Sequence, residues 1–464
     1  MKHTEILRAL REFEGYPDIK SWQLKLIRRR ANLIYRRNHG PSSSDLETAV
    51  AFIRTDLESS LITQWGYRSV QNHLRIAHNL FVGRHTVNTI LRELDPIALE
   101  ARAPRHPRRR RRYMVKGPNR VWSINGHNKL SAYGFQIYGI IDAYSRKIVG
   151  MFVGLSNRTQ IAVLKYYIHT IKKFGIPKAI RADKGVETVL LAAAQFAFRK
   201  AAKPYIQLEK TWAYGTSTKN QRIERWWRTL VDQQTDQWIA YFDELRGLGL
   251  FESTKFDRIA LQYLYMDTLR DHIAAFVRMY NTHPIRRQVL REWYLPAGKP
   301  NLLYKYPDEG IRNYATPPDP SLLAEIESQL SWFDDTAYLI PTTRALCDDI
   351  VLHSHIEYDP TTILPGVDQS HTLMYRELRT GLYQWEQSTG GIVEELQPPR
   401  GSISTIEAMV QQLRDQGIDL ANQEGGDTLQ GEVEMDISED GSSVGDSESE
   451  DGSDGEFFNV ELDL

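Results

Sequence analysis

The segment from Val121 to Ala182 constrains the fold of this 464-residue chain most, because its apolar pattern changes there from strand-like to helical. Three short runs rich in β-branched and aromatic residues (121–125, 135–141 and 147–155) are separated by stretches that suit turns. Consecutive strands with such short connections pair antiparallel. We therefore predict a three-stranded antiparallel meander.

A helix and a fourth strand follow this meander in the sequence. Apolar residues at helical spacing from Ile161 to Ile171 predict a helix, which we expect Asn157 to cap. The run from Ala179 to Ala182 predicts a strand that pairs parallel to the sheet through a helical crossover, and 187–200 predicts another helix. This order of elements predicts an α/β fold of the RNase H-like type, with a mixed five-stranded sheet flanked by helices.

Two short amphipathic helices are predicted between Gly66 and Pro96, around a turn at Asn79–Gly83. Such a pair forms a helix-turn-helix, a motif that binds DNA through its second helix. An ordinary helical hairpin fits the periodicity equally well. The outward residues of the second helix would be Arg84, His85, Asn88, Thr89 and Arg92.

A run of five arginines lies just before the predicted sheet; its members are Arg108, Arg109, Arg110, Arg111 and Arg112. Such a run can bind phosphates or serve as a nuclear localisation signal, and it can also be a solvated stretch of charge. The sequence leaves these alternatives open.

The net formal charge of −1 conceals an uneven distribution. Fifteen of the 59 acidic residues lie in Glu424–Asp463, so the chain up to Gln423 carries 58 basic and 44 acidic side chains, a formal charge of +14. A body this basic predicts a polyanionic partner, and the acidic tail can compete for the same surface. The tail has too few large apolar residues to fold, so we expect disorder there.

The single cysteine, Cys347, excludes a disulfide framework and cysteine-rich zinc modules, and we expect it in a core. No stretch approaches the roughly 18 uncharged residues that a bilayer span needs. We therefore expect neither secretion nor a membrane partner. The expected location is nuclear in a eukaryote and cytoplasmic otherwise.

Two carboxylates are placed where metal-dependent phosphodiester chemistry needs them. Asp183 ends the predicted fourth strand, and Glu224 borders the buried stripe of a later helix. Cleavage and strand transfer of this kind use two divalent cations about 3.5–4 Å apart, held by carboxylates.

At these residues the chain resembles the DDE superfamily of integrases and transposases, particularly transposon-derived integrases of fungal and animal genomes. The resemblance spans about Asn119 to Gln288. It implies Mg²⁺ or Mn²⁺ at Asp183 and Glu224, DNA as substrate, and assembly of several copies. It also implies a mobile loop over Gly215–Lys219 near the cut DNA. The matching motifs are Trp122–His127, Ile141–Arg146, Arg181–Gly185, Asn220–Glu224 and Tyr280–Pro284.

Lys219 and Arg222, in and just after that loop, would be phosphate contacts by this resemblance, although ordinary surface cations fit as well. Trp226 and Trp227 are expected in the core rather than stacked on bases.

The chain departs from the family at the first catalytic position, where Asn125 stands in place of Asp. An amide is neutral and offers one oxygen instead of two, so we expect metal affinity and rate to fall. Asp142 is not expected to substitute for it, and Glu187 would be a minor helper at most.

Three functions remain open. The sequence is compatible with an integrase whose catalysis is impaired, with a non-catalytic domesticated DNA-binding protein, and with a scaffold whose acidic tail binds a protein partner. The predicted segments are a basic helical segment (1–45), a helix-turn-helix-like region (46–103), an arginine-rich linker (104–118), an integrase-like core (119–290), a mixed extension (291–420) and an acidic tail (421–464).

Overall fold

The computed structural model describes residues 3–30, 43–59, 61–63, 65–95, 115–215, 221–285, 296–358 and 369–420. The described residues fall into two compact units, one within Met1–Ser44 and the other within Asp45–Glu434. In the first unit, α1 (His3–Glu12) contacts α2 (Ser21–Arg30). Across the described residues, no helix combines the length and hydrophobicity that a bilayer-spanning segment requires.

The centre of the second unit is a five-stranded mixed sheet with the strand order β3-β2-β1-β4-β5. Strands β1, β2 and β3 pair antiparallel, whereas β4 pairs parallel to both β1 and β5. These directions confirm the predicted RNase H-like fold. The strands are β1 (Val121–His127), β2 (Gln136–Asp142), β3 (Ile148–Gly154), β4 (Ala179–Asp183) and β5 (Trp212–Gly215).

Helices cover both faces of this sheet, as the alternation of side chains along a strand requires. On β2, Ile137 belongs to the core formed with α8, α9 and α10, while its neighbour Tyr138 belongs to the core formed with α6 and α7. The helices are α6 (Gln160–Phe174), α7 (Val189–Ala202), α8 (Gln221–Leu230), α9 (Asp236–Gly247) and α10 (Lys255–Thr282).

The expectation that Asn157 caps α6 is wrong, because that helix begins at Gln160 and its N-cap residue is Thr159. The Asn157 side chain donates instead to the carbonyl of Ile137 at 2.8 Å and to Asn128 Oδ1 at 3.1 Å. It lies against Gly126, where a Cβ atom would be 2.8 Å from Asn157 Nδ2. These contacts keep β1 extended to His127, beyond its predicted end.

Among the described residues of the second unit, the sheet is preceded by α3 (Ser43–Glu58), α4 (Tyr67–Ala77) and α5 (Arg84–Leu94). The two predicted amphipathic helices are α4 and α5, and they pack against each other. Helix α4 also packs on α10, where Asn72 Nδ2 donates to Thr282 Oγ1 at 2.9 Å.

In the extension predicted as mixed (291–420), the described residues form helices of 6 to 21 residues. They pack on the core: α14 contacts α10 and α15 contacts α7. Buried Cys347 lies in α13, as expected for a core residue. The helices are α11 (Pro300–Lys305), α12 (Pro320–Gln329), α13 (Pro341–His353), α14 (Gln369–Thr389) and α15 (Ser404–Asp415).

Two polar side chains hold the antiparallel half of the sheet in place. Asp142, fully buried at the end of β2, accepts hydrogen bonds from the backbone N–H groups of Asn119 and Ser145 and from the Ser145 hydroxyl. Asn281, at the end of α10, pairs with both backbone groups of Ile148 at 2.9 and 3.0 Å. The amide thus takes the place of a further strand beside the start of β3.

Replacing Asn281 with Ala should destabilise the fold by about 2 kcal/mol, because the N–H and C=O of Ile148 would be buried without these partners. Urea unfolding followed by far-UV circular dichroism measures the change. The matched control is Asn301→Ala on α11, which is expected within about 0.5 kcal/mol of the parent. Equal unfolding midpoints for the two variants would contradict this role of Asn281.

Candidate active site

Asn125, Asp183 and Glu224 meet at one edge of the sheet. Nδ2 of Asn125 donates to Oδ2 of Asp183 at 3.2 Å and to Oε1 of Glu224 at 2.7 Å. The residues come from β1, β4 and α8, so the fold brings together side chains that lie far apart in the sequence.

The register of the sheet explains the position of Asn125. β1 and β4 run parallel with Ile124 opposite Ala182, so the residues that follow them, Asn125 and Asp183, emerge side by side. Asn125 lies opposite Gly139 across the β1–β2 ladder.

A small residue on β2 lets α8 approach the sheet. A Cβ atom at Gly139 would lie 2.8 Å from the ring of Trp227, so that ring packs directly on the strand backbone. Trp227 is three residues after Glu224 on α8 and therefore shares its side of the helix. This contact sets the height of Glu224 above Asn125. Trp226 and Trp227 are both buried, as predicted for core residues.

The pKa of Glu224 is raised, mainly because the carboxyl is partly buried and next because Asp183 carries a like charge. The hydrogen bond from Asn125 and the charge of Arg228 act in the opposite direction. The pKa of Glu187 is also raised, chiefly by burial, and Asp183 adds to that effect. The site therefore concentrates negative charge that protons or cations can offset.

His127 is a neighbour of the site that the sequence reasoning did not single out. It lies two residues after Asn125 on β1, so the two side chains share one face of the sheet. Its ring stacks on Trp227 with centroids 4.9 Å apart. Burial, followed by the charge of Lys129, lowers the pKa of His127 to about 4, which keeps the imidazole neutral near pH 7. Its position two residues after Asn125, just beyond the predicted strand, could have indicated that His127 lies beside the site.

Comparison with known proteins identifies the segment that forms this sheet. Residues 112–292 match the family model described as "Integrase core domain". This segment is an integrase core domain. One similar solved structure is the cryoEM structure of the simian T-cell lymphotropic virus intasome in complex with PP2A regulatory subunit B56 gamma. It is 15% identical, covers 57% of this chain and 78% of that chain, and has a TM-score of 0.26. No curated protein matches the chain.

Integrase cores generally depend on divalent metal ions, and the donor set of this one fits such an ion only after a rearrangement. Carboxylate and amide oxygens are suitable ligands for Mg²⁺ or Mn²⁺. Here, however, the Asn125 amide directs its N–H groups, not its oxygen, at both carboxylates. Presenting the oxygen would require the amide to rotate and both hydrogen bonds to break.

Within the described residues, no third acid or imidazole lies close enough to Asp183 and Glu224 to share one ion with both. Asp142 lies at the far end of the β1–β2 ladder, opposite Trp122, and its carboxylate accepts hydrogen bonds from Asn119 and Ser145. It therefore does not substitute for Asn125. The charge of Asp183 contributes to the raised pKa of Glu187, after burial, which is its main cause.

The predicted DNA-contacting residues on α5 lie at the surface. Arg84, His85 and Arg92 are exposed, and Asn88 is partly exposed. A cavity of about 260 Å³ opens between α4 and α5 and is lined by Tyr67, Arg68, Arg84, His85 and Asn88.

The other predicted phosphate contacts cannot be placed. The arginine run Arg108–Arg112, Lys219 and the loop over 216–220 lie outside the described residues. Arg222 lies in the first turn of α8, but its side chain is outside the described part.

Replacing Asn125 with Asp should make stability depend on metal. Without a cation, three carboxylates would converge with no shared donor, so we expect a loss of about 2 kcal/mol in EDTA. Mn²⁺ should restore that loss, because a cation offsets the added charge. Thermal unfolding in EDTA and in Mn²⁺ measures both effects.

Asn125→Ala is the matched control, since it removes the donor without adding charge. It should be destabilised in EDTA and gain no more from Mn²⁺ than the parent gains. An Asn125→Asp variant that is as stable as the parent in EDTA, and indifferent to Mn²⁺, would contradict the proposed balance of charge.

Proposed function

We propose that this chain is an integrase-like protein that binds DNA and whose phosphodiester cleavage and strand transfer are impaired. The observation that carries the proposal is the pair of hydrogen bonds from the Asn125 amide to Asp183 and Glu224. The integrase core supports a function on DNA. The residue at its first catalytic position determines how much cleavage and strand-transfer activity remains.

The impairment follows from charge. In-line displacement at a phosphodiester needs two divalent cations, which activate the attacking oxygen and stabilise the leaving one. Three carboxylates would hold that positive charge, whereas this site offers two. The Asn125 amide also satisfies those two by hydrogen bonding, so a cation must displace an existing interaction before it binds.

The residues of the site therefore hold one another in a closed arrangement through direct contacts. Asn125 holds Asp183 and Glu224 together, and Trp227 fixes Glu224 against β2. Weak residual activity in Mn²⁺ would require the amide to turn its oxygen toward the ion. We assign Mg²⁺ or Mn²⁺ to Asp183 and Glu224 only in that rearranged form.

DNA binding is independent of this chemistry. We propose that the α4–α5 pair binds the DNA backbone through the cavity that Arg68 and Arg84 line. Exposed arginines beside a short helix-turn-helix suit phosphate contacts. The surplus of basic residues before Gln423 favours the same partner.

Sequence reasoning alone supports three further parts of the proposal. These are assembly of several copies on DNA, nuclear location through Arg108–Arg112, and binding of a protein partner by the acidic tail.

Nicking of supercoiled plasmid in Mn²⁺ tests the impairment without knowledge of the natural DNA ends. The parent should nick no faster than in EDTA, while Asn125→Asp should gain Mn²⁺-dependent nicking of at least about 100-fold. The double variant Asn125→Asp with Glu224→Gln should lose that gain. A parent that nicks as fast as Asn125→Asp would show that the amide does not impair the site.

Salt dependence of binding tests the DNA surface. Replacing Arg68 and Arg84 with Ala should weaken binding to any duplex and reduce the slope of log K against log salt by about 2, since each phosphate contact contributes about 0.9. Replacing Arg376 and Arg400, two exposed arginines after the core, is the matched control. Equal slopes for the two double variants would exclude the α4–α5 surface.

A further inference from the structure

A second group of titratable side chains lies on the helices that precede the integrase core. Asp56 is on α3, His73 is on α4, and His78 directly follows α4. Oδ2 of Asp56 lies 3.3 Å from Nε2 of His73 and 3.9 Å from Nε2 of His78. One ligand atom from each residue lies within 4.8 Å of the other two.

These three atoms are buried and lack hydrogen bonds. Asp56 is 9% exposed and His73 is 8% exposed. Within the described residues, neither Asp56 Oδ2 nor the Nε2 atom of His73 or His78 has a hydrogen-bond partner. Buried polar atoms without partners are costly, so a group of three that face one another calls for a bound species.

Aromatic neighbours fix the orientation of both imidazoles. Phe52 stacks on the His78 ring with centroids 3.8 Å apart, and the Trp65 ring meets His73 edge-on at 5.4 Å. The two imidazoles are perpendicular to each other. Their Nε2 atoms therefore point at Asp56 from two directions, as ligands of one ion do.

We infer that Asp56, His73 and His78 bind one Zn²⁺ ion. Tetrahedral zinc with bonds of about 2.0–2.1 Å places neighbouring ligand atoms roughly 3.3 Å apart. The Asp56 oxygen lies 3.3 Å from one histidine nitrogen and 3.9 Å from the other, and side-chain rotations would bring all three atoms, now within 4.8 Å, to that spacing. Two imidazole nitrogens and one carboxylate oxygen leave the fourth position to water.

A plain histidine–aspartate ion pair explains the group less well. One carboxylate oxygen would have to serve two imidazolium groups that repel each other. Burial is the main cause of a lowered pKa at His78, which favours the neutral imidazole that binds metal. The nearby His272 on α10 is likewise kept neutral by burial, with a pKa lowered to about 4.

The ion would join α3 to α4 at the turn that leads into α5. That turn determines how Arg84 and His85 are presented, so zinc would stabilise the α4–α5 surface. The site has no residue in common with Asp183 and Glu224, and the inference does not depend on the proposed function.

Metal content of the full chain tests the site. After dialysis against EDTA, addition of ZnCl₂ and gel filtration, elemental analysis should find about one Zn²⁺ more per chain in the parent than in His78→Ala or Asp56→Asn. Glu224→Gln is the matched control and should retain the parent's zinc. Every variant keeps the acidic tail, so zinc bound non-specifically to the tail contributes equally to the parent and the variants and does not affect the difference between them.

Thermal unfolding gives a second readout. Zinc should raise the midpoint of the parent and of Glu224→Gln but leave that of His78→Ala unchanged. His78→Gln serves in its place if circular dichroism shows that the alanine variant is unfolded. A parent that binds no zinc, or His78 and Asp56 variants that bind as much as the parent, would overturn the inference.

Discussion

Two hydrogen bonds from the neutral Asn125 amide join the two carboxylates at the edge of the sheet. Burial raises the pKa of Glu224 and the like charge of Asp183 adds to that shift, so the negative charge of the pair must be offset. The donors of Asn125 provide that offset without any ion. We therefore propose that the core folds without metal and that these hydrogen bonds disfavour the arrangement needed for two cations.

The rest of the scaffold maintains this contact. The parallel β1–β4 register sets Asn125 beside Asp183, and the glycine opposite Asn125 admits Trp227, which positions Glu224. Asp142 and Asn281 satisfy backbone groups at the ends of β2 and β3 with their side chains. Two of the motifs that resemble integrase motifs, Ile141–Arg146 and Tyr280–Pro284, therefore contain residues that stabilise the sheet.

The sequence predicts the sheet well because β-branched runs and short turns act locally. It also indicates Asp183 and Glu224, since one ends a strand and the other borders a helical stripe. The prediction that Asn157 caps α6 fails because its side chain hydrogen-bonds to the backbone of a neighbouring strand instead of to the start of the helix. The helices after α10 are missed because their apolar residues are explained only by packing on a core distant in sequence.

The group formed by Asp56, His73 and His78 was also beyond sequence reasoning. His73 and His78 are not on one face at a recognised ligand spacing, and Asp56 comes from another helix. Only the three-dimensional fold brings Asp56 within 3.3 and 3.9 Å of the two imidazoles. Chemistry that depends on such packing becomes visible when side chains are placed, as Gly139 and Trp227 also illustrate.

Anomalous diffraction from crystals grown in Mn²⁺ tests most directly whether Asn125 keeps cations from Asp183 and Glu224. We expect no manganese peak between Asp183 and Glu224, with the Asn125 side chain still within hydrogen-bond distance of both carboxylates. A pair of manganese peaks about 3.5–4 Å apart, bridged by those carboxylates, would contradict the account.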